Sequence, residues 1–224
     1  MTPEQLTGQN NQHLSPLRIG QKWFDIHSEV HTDLIRLIEA AHLAGFECYI
    51  ASGFRDFDRQ QIIWERKFSG QSRLLDSQSQ PLESHLLSSE EKMWAILRWS
   101  ALPGGSRHHW GTDFDLYAAN HLPSGQSLQL EPWEYLSGHQ HTFYRWLVKN
   151  APDFGFYFPY DQDRGGVAIE PWHISHKAIA TQCMQALSLD ILYQQLLKKS
   201  FIGQATVLKH LDTIYTRYVT NISL

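Results

Sequence analysis

The stretch that decides this fold reads Ser106-Arg107-His108-His109-Trp110-Gly111-Thr112-Asp113-Phe114-Asp115. It is completed downstream by the run Glu170-Pro171-Trp172-His173. Two imidazoles, His108 and His173, and the Asp115 carboxylate make a borderline-soft set of two nitrogens and one oxygen. This set suits zinc and leaves one coordination position for water. These residues therefore predict a catalytic zinc site rather than a structural one.

The pattern around this stretch places further acidic groups beside the predicted metal. Residues 112–117 alternate as a strand does, so Gly111, Asp113 and Asp115 are expected to share one face. Glu170 lies three residues before the second imidazole. A carboxylate so close to a zinc-activated water is placed to act as its general base.

Each of these residues also has an ordinary alternative. The chain contains 13 histidines, most of which cannot be ligands, and a single His or Asp is more often a structural or surface residue. The combination of residues, in order and at defined spacing, favours the metal site. His109 would face away from the metal in a regular strand, so we assign it a supporting role.

The same residues resemble the motifs of the LAS metallopeptidases, the family of D-alanyl-D-alanine carboxypeptidases and dipeptidases. The motif S-x-H-x-x-G-x-x-x-D matches residues 106–115, and E-x-W-H matches residues 170–173. A third element, S-G-[YF]-R followed by Gln, is matched by residues 52–55 and by Gln60. The resemblance runs from about residue 30 to about residue 176, with three motifs in the family's order.

The resemblance implies a role for each matching residue. His108, Asp115 and His173 would hold Zn²⁺, Glu170 would be the catalytic acid and base, and Arg55 would stabilise the oxyanion. Hydrolysis would then proceed without a covalent enzyme intermediate.

Arg55 is predicted at a boundary between two elements. Residues 30–43 have apolar positions at helical spacing, residues 46–51 form a predicted strand, and residues 56–68 a second helix. Arg55 follows the strand, where functional sites are usually built, and its cation can meet charge that develops on the scissile carbonyl oxygen. The alternative is a surface salt bridge with Asp56 or Asp58.

The whole pattern predicts one α+β domain over residues 1–224, with a small central antiparallel sheet flanked by helices. Its catalytic core covers about residues 30–176, preceded by a polar segment, residues 1–20, that is expected to form an extended arm. Residues 69–105 are predicted to be an insertion whose capped helix, about 89–99, could wall one side of the cleft. Residues 177–224 are predicted to be a helical addition that packs on the core or forms a dimer contact.

Between these parts the pattern is less regular. Residues 118–137 are expected to form an irregular loop, residues 138–150 a helix, and residues 154–158 and 167–174 two strands. Pro171 removes an amide donor from the last of these strands, which should therefore lie at an edge or a local irregularity.

Composition excludes several classes of protein. The 224 residues are 42% hydrophobic and 12% aromatic, which is enough for a substantial core. A net charge of −4 and a pI near 6.3 give no basic field for nucleic acid or an anionic membrane. Because no secretion signal and no run of about 18 apolar residues is visible, a cytoplasmic protein without a nucleic-acid or membrane partner is expected.

The cysteines are also consistent with the expected cytoplasmic location. Cys48 and Cys183 are the two cysteines of the chain, and each lies in an apolar pattern typical of a buried thiol. Neither a disulfide framework nor a cysteine-based zinc site is indicated.

Candidate substrate contacts lie close to the predicted metal site. Asp113 stands where the resembled family usually has a small apolar residue. It either orients one of the histidine ligands or receives a substrate ammonium group. Ser106, Gln60 and Arg164 are candidates for contacts to the peptide terminus, and each also has an ordinary hydrogen-bonding alternative.

The resemblance implies peptidoglycan peptides ending in D-alanine as substrates. A cytoplasmic enzyme acting on D-alanyl-D-alanine-ended precursors would oppose wall synthesis, whereas trimming recycled tetrapeptides would not. We therefore predict an L,D-carboxypeptidase that converts tetrapeptide to tripeptide, with a D,D-carboxypeptidase or dipeptidase as the alternative. A peptidoglycan endopeptidase and a non-catalytic zinc-binding module are further alternatives, and a monomer and a homodimer both remain open.

Overall fold

The computed structural model describes residues 1–223, and these form short strands surrounded by helices. The strands are β1 (Leu14–Ile19), β2 (Lys22–His27), β3 (Cys48–Ser52), β4 (Leu74–Leu75), β5 (Pro81–Leu82), β6 (Asp113–Ala118), β7 (Phe156–Tyr157) and β8 (His173–His176). Four of them make the central antiparallel sheet, in the order β3-β6-β8-β7. The predicted α+β class with a small antiparallel sheet is confirmed.

Helices flank this sheet. They are α1 (Pro3–Leu6), α2 (His31–Leu43), α3 (Phe57–Phe68), α4 (Ser89–Trp99), α5 (Pro132–Leu136), α6 (His141–Asn150), α7 (Lys177–Ala186), α8 (Leu189–Leu197), α9 (Gln204–Lys209) and α10 (Leu211–Ile214). The helix predicted over 89–99 is confirmed, and it starts with the expected capping box between Ser88 and Glu91.

The register of the sheet brings the separated motifs together. Asp115 on β6 lies directly opposite His173 on β8 and opposite Ser52 on β3. Directly opposite residues of an antiparallel pair have Cβ atoms about 4.5–5.5 Å apart. The end of β3, which leads to Arg55, and the start of β8 therefore meet at the same point of β6.

Residues 1–20 do not form the extended arm that their polar composition predicted. They contain α1 and β1, and β1 pairs with β2 in a hairpin. Leu6 is fully buried, and the Trp110 indole nitrogen donates a hydrogen bond to its carbonyl oxygen at 3.0 Å. Burying one leucine contributes about 1.5–3 kcal/mol, which helps to fix a segment with few apolar residues.

Gly111 marks the place where the hairpin closes on the metal motif. It has a φ of 67°, and a Cβ at this position would collide with the Leu14 side chain and lie 2.9 Å from the backbone nitrogen of His27. The preceding Arg107–Trp110 form a turn of 3-10 helix, and the strand begins only at Asp113. The expectation that Gly111 shares a strand face with Asp113 is therefore wrong.

Two further predictions need correction. Residues 118–137 contain α5, whose Tyr135 hydroxyl donates to the Leu116 carbonyl oxygen at 2.8 Å. This buried anchor is not visible as a periodic pattern. The strand predicted over 167–174 starts only at His173, because Pro171 lies in the turn before it and cannot donate to a ladder.

The C-terminal helices pack on the same apolar core as the rest of the chain. Their buried side chains, from Ile179 to Val219, belong to one cluster with the residues around the sheet. The end of the chain also holds the loop 159–166: Asn221 donates to the Arg164 carbonyl oxygen at 3.0 Å, and the Ser223 amide donates to that of Pro159 at 2.9 Å. Across residues 1–223, helices of the length and apolarity that a bilayer crossing requires do not occur.

Candidate metal centre and active site

Three donor atoms converge at the crossing of β3, β6 and β8. One ligand atom each of His108, Asp115 and His173 lies within 4.8 Å of the other two, and all three residues are buried. His108 Nε2 lies 3.6 Å from Asp115 Oδ2, and His173 Nδ1 lies 3.4 Å from Asp115 Oδ1. A divalent ion between these atoms would meet two nitrogens and one oxygen, the set that suits zinc.

The other nitrogen of each imidazole is held from behind. His108 Nδ1 lies 2.9 Å from the Gly53 carbonyl oxygen, and His173 Nε2 lies 3.0 Å from Asp113 Oδ1. Both partners are acceptors, so each ring can donate its outer proton and would offer the lone pair of its inner nitrogen to a bound ion. This is the arrangement by which outer hydrogen bonds fix the tautomer and orientation of metal-binding histidines.

The Asp115 carboxylate tests whether a metal fits this centre. Its Oδ1 atom is buried and has no hydrogen-bond partner among residues 1–223. Burial raises the pKa of Asp115 to about 7, an effect that the neighbouring Glu170 reinforces. A buried carboxylate oxygen without a partner is unfavourable, and a cation at the centre would satisfy it. The donor set and its unsatisfied oxygen both fit zinc.

Glu170 lies beside the ligands but is not one of the three converging donors. Its Oε2 atom is 3.0 Å from His173 Nδ1, and its side chain is 14% exposed, so it can reach water in the cavity. Its amide donates to the Tyr160 carbonyl oxygen at 3.1 Å, and the Tyr160 ring packs edge-on against His173. The carboxylate is thus held at the edge of the centre.

Arg55 reaches the cavity from the loop after β3. Its two terminal nitrogens donate to Gln60 Oε1 at 2.6 Å and to Ser52 Oγ at 2.9 Å. Burial lowers the pKa of Arg55, and the carboxylates of Asp115 and Glu170 oppose this effect. The alternative of a surface salt bridge with Asp56 or Asp58 is wrong: Asp56 accepts from the Arg59 amide at the start of α3, and Asp58 pairs with Lys199.

His109 supports the Arg55 loop instead of the metal. Its Nε2 accepts a hydrogen bond from the Gly104 amide at 3.0 Å, so its Nδ1 donates to the Arg55 carbonyl oxygen, 2.6 Å away. Burial lowers the pKa of His109 to about 4, so the ring is neutral near pH 7.

Asp113 is fully buried behind the metal centre. Its Oδ1 accepts from Arg107 Nε at 2.7 Å and lies 3.0 Å from His173 Nε2, and its Oδ2 accepts from the Thr112 hydroxyl at 2.6 Å. Although burial opposes it, Arg107 lowers the pKa of Asp113 and keeps it ionised. With both oxygens engaged and no access to the cavity, Asp113 cannot receive a substrate ammonium group, and that alternative is wrong.

The three candidates for the peptide terminus differ in position. Ser106 lines the cavity of about 340 Å³ that contains the metal centre. Gln60 is fully buried, where it holds Arg55 and donates to the Ala101 carbonyl oxygen at 2.7 Å. Arg164 pairs with Asp161 at 2.7 Å and is not among the residues that line this cavity. Of the three, only Ser106 is placed to touch a substrate.

Several cavity residues were missed by sequence reasoning. They are Lys67, Arg107, Glu131, Tyr160 and Trp172. Arg107 and Trp172 lie inside the two motifs, and Lys67 follows Gln60 by seven residues on one helix, so helical spacing could have placed it on the same face. No comparable signal marks Glu131 and Tyr160, which reach the cavity from loops.

Removal of the metal is expected to lower the melting temperature more at about pH 8.5 than at about pH 6.5. Without metal, burial raises the pKa of Asp115 to about 7. Despite burial, hydrogen bonds to Asp113 and Glu170 raise the pKa of His173 to about 10. Both groups therefore hold protons in the folded chain above their unfolded pKa values of about 3.9 and 6.5, and stability falls as pH rises through their folded values.

The measurement is thermal unfolding of the zinc-loaded and the chelated protein at both pH values. In the loaded protein the ion takes the place of these protons. A difference in melting temperature that stays the same at both pH values would contradict the expectation.

Comparison with known proteins gives a consistent picture of relatedness. A family model described as VanY, D-alanyl-D-alanine carboxypeptidase, matches residues 24–179. An uncharacterized protein of Haemophilus influenzae is 39% identical over 121 residues, which cover 53% of this chain and 92% of that protein. A D-alanyl-D-alanine carboxypeptidase of Enterococcus faecalis is 28% identical over 146 residues, covering 64% of this chain but only 45% of the relative.

A similar solved structure contains the metal. It is a mutant of the vancomycin resistance D,D-pentapeptidase VanY, from a VanB-type resistance cassette, in complex with Zn(II). Its sequence is 26% identical, the TM-score is 0.53, and the match covers 82% of this chain and 92% of that one.

Proposed function

We propose, on the premise that this chain belongs to the VanY family of D-alanyl-D-alanine carboxypeptidases, that it removes a C-terminal D-alanine from peptidoglycan peptides. It is a zinc metallopeptidase. One observation carries the proposal: the buried donors of His108, Asp115 and His173 open on a cavity that Glu170 and Arg55 also line. A non-catalytic zinc-binding module would not require a carboxylate such as Glu170 and a guanidinium such as Arg55 beside the metal.

The residues of the chain divide the chemistry between them. Zinc, when bound by His108, Asp115 and His173, supplies Lewis acidity that activates water and polarises a carbonyl. We assign both proton transfers to Glu170. Its carboxylate takes a proton from the attacking water and returns it to the nitrogen of the departing D-alanine. The peptide bond and one O–H bond of water break, and an acid and an amine form.

Arg55 is proposed to stabilise the charge that develops on the carbonyl oxygen. Gln60 and Ser52 fix its guanidinium before substrate arrives, so no reorganisation is needed during the reaction. A preorganised donor of this kind contributes about 10²- to 10³-fold in kcat. Glu170 and the metal donors line the same cavity as Arg55, which supports the proposal that all of them act on one carbonyl.

Within this class we propose the tetrapeptide as the preferred substrate, which makes the enzyme an L,D-carboxypeptidase. The residue before the scissile bond is then a diamino acid, whose side chain ends in an ammonium group. Asp113 cannot hold that group, but Glu131 lines the cavity. Its side chain takes part in a capping box with Glu134 at the start of α5 and makes no ion pair among residues 1–223, so its charge has no cationic partner there. We therefore assign the ammonium group to Glu131.

The second candidate is a D,D-carboxypeptidase that acts on pentapeptides. The names of the Enterococcus relative and of the zinc-containing structure favour it. A pentapeptide places D-alanine on both sides of the scissile bond, so the diamino acid lies one residue further away. Glu131 would then contribute little to the choice of substrate.

Purified enzyme offered pentapeptide, tetrapeptide and free D-alanyl-D-alanine is expected to release D-alanine fastest from the tetrapeptide. Glu131→Gln should lower kcat/KM on that substrate by about 10- to 100-fold, since a hydrogen bond to a charged group contributes about 1.5–3 kcal/mol. On a tetrapeptide with an acetylated side-chain amine the variant should match the wild type. Preferred cleavage of the pentapeptide would assign the enzyme to the D,D class and leave its zinc chemistry intact.

A further inference from the structure

Lys67 lines the catalytic cavity from the side of α3. It lies on the same face of the helix as Ile63, which also lines the cavity. Its Nζ atom donates to the Ser100 hydroxyl at 2.6 Å. Within the described chain, residues 1–223, Lys67 forms no ion pair with a carboxylate. A lysine in a cavity wall with only a neutral partner is an uncommon arrangement, because burying an unpaired ammonium is unfavourable.

Burial and two charged neighbours set the pKa of Lys67. Burial lowers its pKa to about 8, with a further contribution from the Arg55 guanidinium, while the Glu170 carboxylate opposes the shift. Glu170 itself lies 3.0 Å from His173 Nδ1 and does not pair with the lysine. The ammonium is therefore mostly charged near pH 7 and available to an anion that enters the cavity.

The charges of the cavity wall favour an anionic ligand at this point. Arg107 is neutralised by Asp113 behind the wall, so the charges that face the cavity are the cations Arg55 and Lys67 and the carboxylates Asp115, Glu131 and Glu170. A divalent ion at the centre adds two positive charges, which would make the loaded cavity positive by one charge. The Arg107 guanidinium is paired with Asp113, although its Nη1 atom has no hydrogen-bond partner among residues 1–223. Arg55 is held by Gln60 and Ser52 and is assigned to the carbonyl oxygen. Among these three cations, Lys67 is therefore the one with neither a carboxylate partner nor a role at the reacting carbonyl.

We propose that Lys67 recognises the terminal carboxylate of the peptide substrate, a role that rests on the proposed carboxypeptidase function. The carboxylate of the departing residue lies at most about 3.3–3.6 Å of chain beyond the scissile bond. Its receptor must therefore lie beside the catalytic residues without being one of them. Lys67 meets this condition, because it lines the same cavity as Glu170 and Arg55 and is assigned no part in the proton transfers or in oxyanion stabilisation.

Ala101 and Ile63 line the same cavity; Ala101 follows Ser100, the partner of Lys67, and Ile63 lies one helical turn before Lys67. These small or apolar side chains would accommodate the methyl group of a terminal D-alanine while Lys67 holds its carboxylate. A peptide that continues beyond this residue has an uncharged amide in place of the carboxylate. Lys67 would thus select free peptide ends and reject internal bonds.

A purely structural role for Lys67 predicts different behaviour. In that case the Nζ to Ser100 hydrogen bond ties α3 to the loop after α4, and any loss of activity follows from a displaced wall. Lys67→Gln separates the two roles, because a glutamine amide can donate to the Ser100 hydroxyl but carries no charge. Lys67→Arg restores a cation at the same position, and Lys149→Gln on an exposed face of α6 is the matched control.

The experiment compares the best cleaved peptide with the same peptide ending in D-alaninamide. Wild-type enzyme and Lys149→Gln are expected to prefer the free acid. Lys67→Gln should lower kcat/KM on the acid by about 10- to 100-fold, mainly through KM, and leave the amide almost unchanged, since the lost interaction is a charge-assisted hydrogen bond. Lys67→Arg should recover part of the preference.

The outcomes separate this proposal from the proposed function. If Lys67→Gln lowers kcat/KM equally on the acid and the amide, its preference for the acid is unchanged. That result would overturn the role of Lys67 and leave the carboxypeptidase function intact. A wild-type enzyme that cleaves acid and amide equally well would overturn both. Zinc content and melting temperature establish that each variant is folded, and Lys67→Met gives the same comparison should the glutamine variant fail to fold.

Discussion

Glu170→Gln is expected to lower kcat by about 10²- to 10⁴-fold, the usual contribution of a general acid and base, while the protein keeps its zinc. The amide has the shape of the carboxylate but can neither take a proton from water nor return one to the leaving amine. Because Glu170 lies beside the converging donors and is not one of them, metal content should not fall. Glu170→Ala should behave in the same way.

Substitution of a metal ligand, instead of the general base Glu170, serves as the control. His108→Ala or His173→Ala should lose both activity and metal, since two protein ligands hold zinc much more weakly than three. Zinc measured by atomic absorption, beside turnover of the tetrapeptide, distinguishes the two classes. Near wild-type activity in Glu170→Gln would remove the proposed acid and base, and loss of zinc in that variant would make Glu170 a ligand.

Arg107→Met is expected to destabilise the folded protein by about 3–5 kcal/mol, as removal of one partner from a buried ion pair does. Asp113 is fully buried, and Arg107 Nε lies 2.7 Å from its Oδ1. Without the guanidinium the carboxylate keeps its burial and loses its principal counter-charge. The Arg107 Cζ atom also lies 4.9 Å from the centre of the Trp110 ring. A methionine side chain would retain part of this contact.

The double variant Arg107→Met with Asp113→Asn tests whether the pair acts as a unit. Removing both charges should recover a large part of the lost stability, because neither group is then left unpaired. Zinc affinity should nevertheless stay lower by about 10- to 100-fold, since His173 has lost the carboxylate that orients it.

Urea unfolding of the metal-free proteins and competition with a zinc chelator measure the two effects separately. A double variant as unstable as Arg107→Met would mean that the arginine acts through packing alone. Zinc affinity equal to wild type would remove the proposed role of Asp113 in orienting His173.

Asp113, which stands where the resembled family usually has a small apolar residue, shows how far the role of a single residue can be predicted from sequence. Arg107 and Asp113 carry opposite charges and lie six residues apart in the sequence. Strand alternation placed Asp113 on the metal side, where both an orienting and a substrate-binding role were open. Only the 3-10 turn that precedes β6 brings Arg107 back onto the carboxylate and closes it to the cavity.

The N-terminal segment shows a second limit. Its composition is polar, and composition predicts disorder when a segment has too little apolar surface to offset its chain entropy. Here a few residues suffice, because Leu6 and the β1–β2 hairpin cover a surface that the metal motif supplies. Such compensation depends on residues about a hundred positions away, which no local pattern contains.

Short motifs and local periodicity were enough to predict the α+β class, which the structure confirms, and the ligand types of a zinc centre, since both are written in nearby residues. The roles of the acid at 170 and the cation at 55 are implied by the resemblance of these motifs to the LAS metallopeptidases and stay predictions. Which charged side chains line the cavity is visible only in the folded chain. Lys67 and Glu131 reach the cavity while Asp113, Gln60 and Arg164 do not. Whether a polar group is buried, paired or open depends on the packing of distant segments around it, and that packing is a property of the folded chain as a whole.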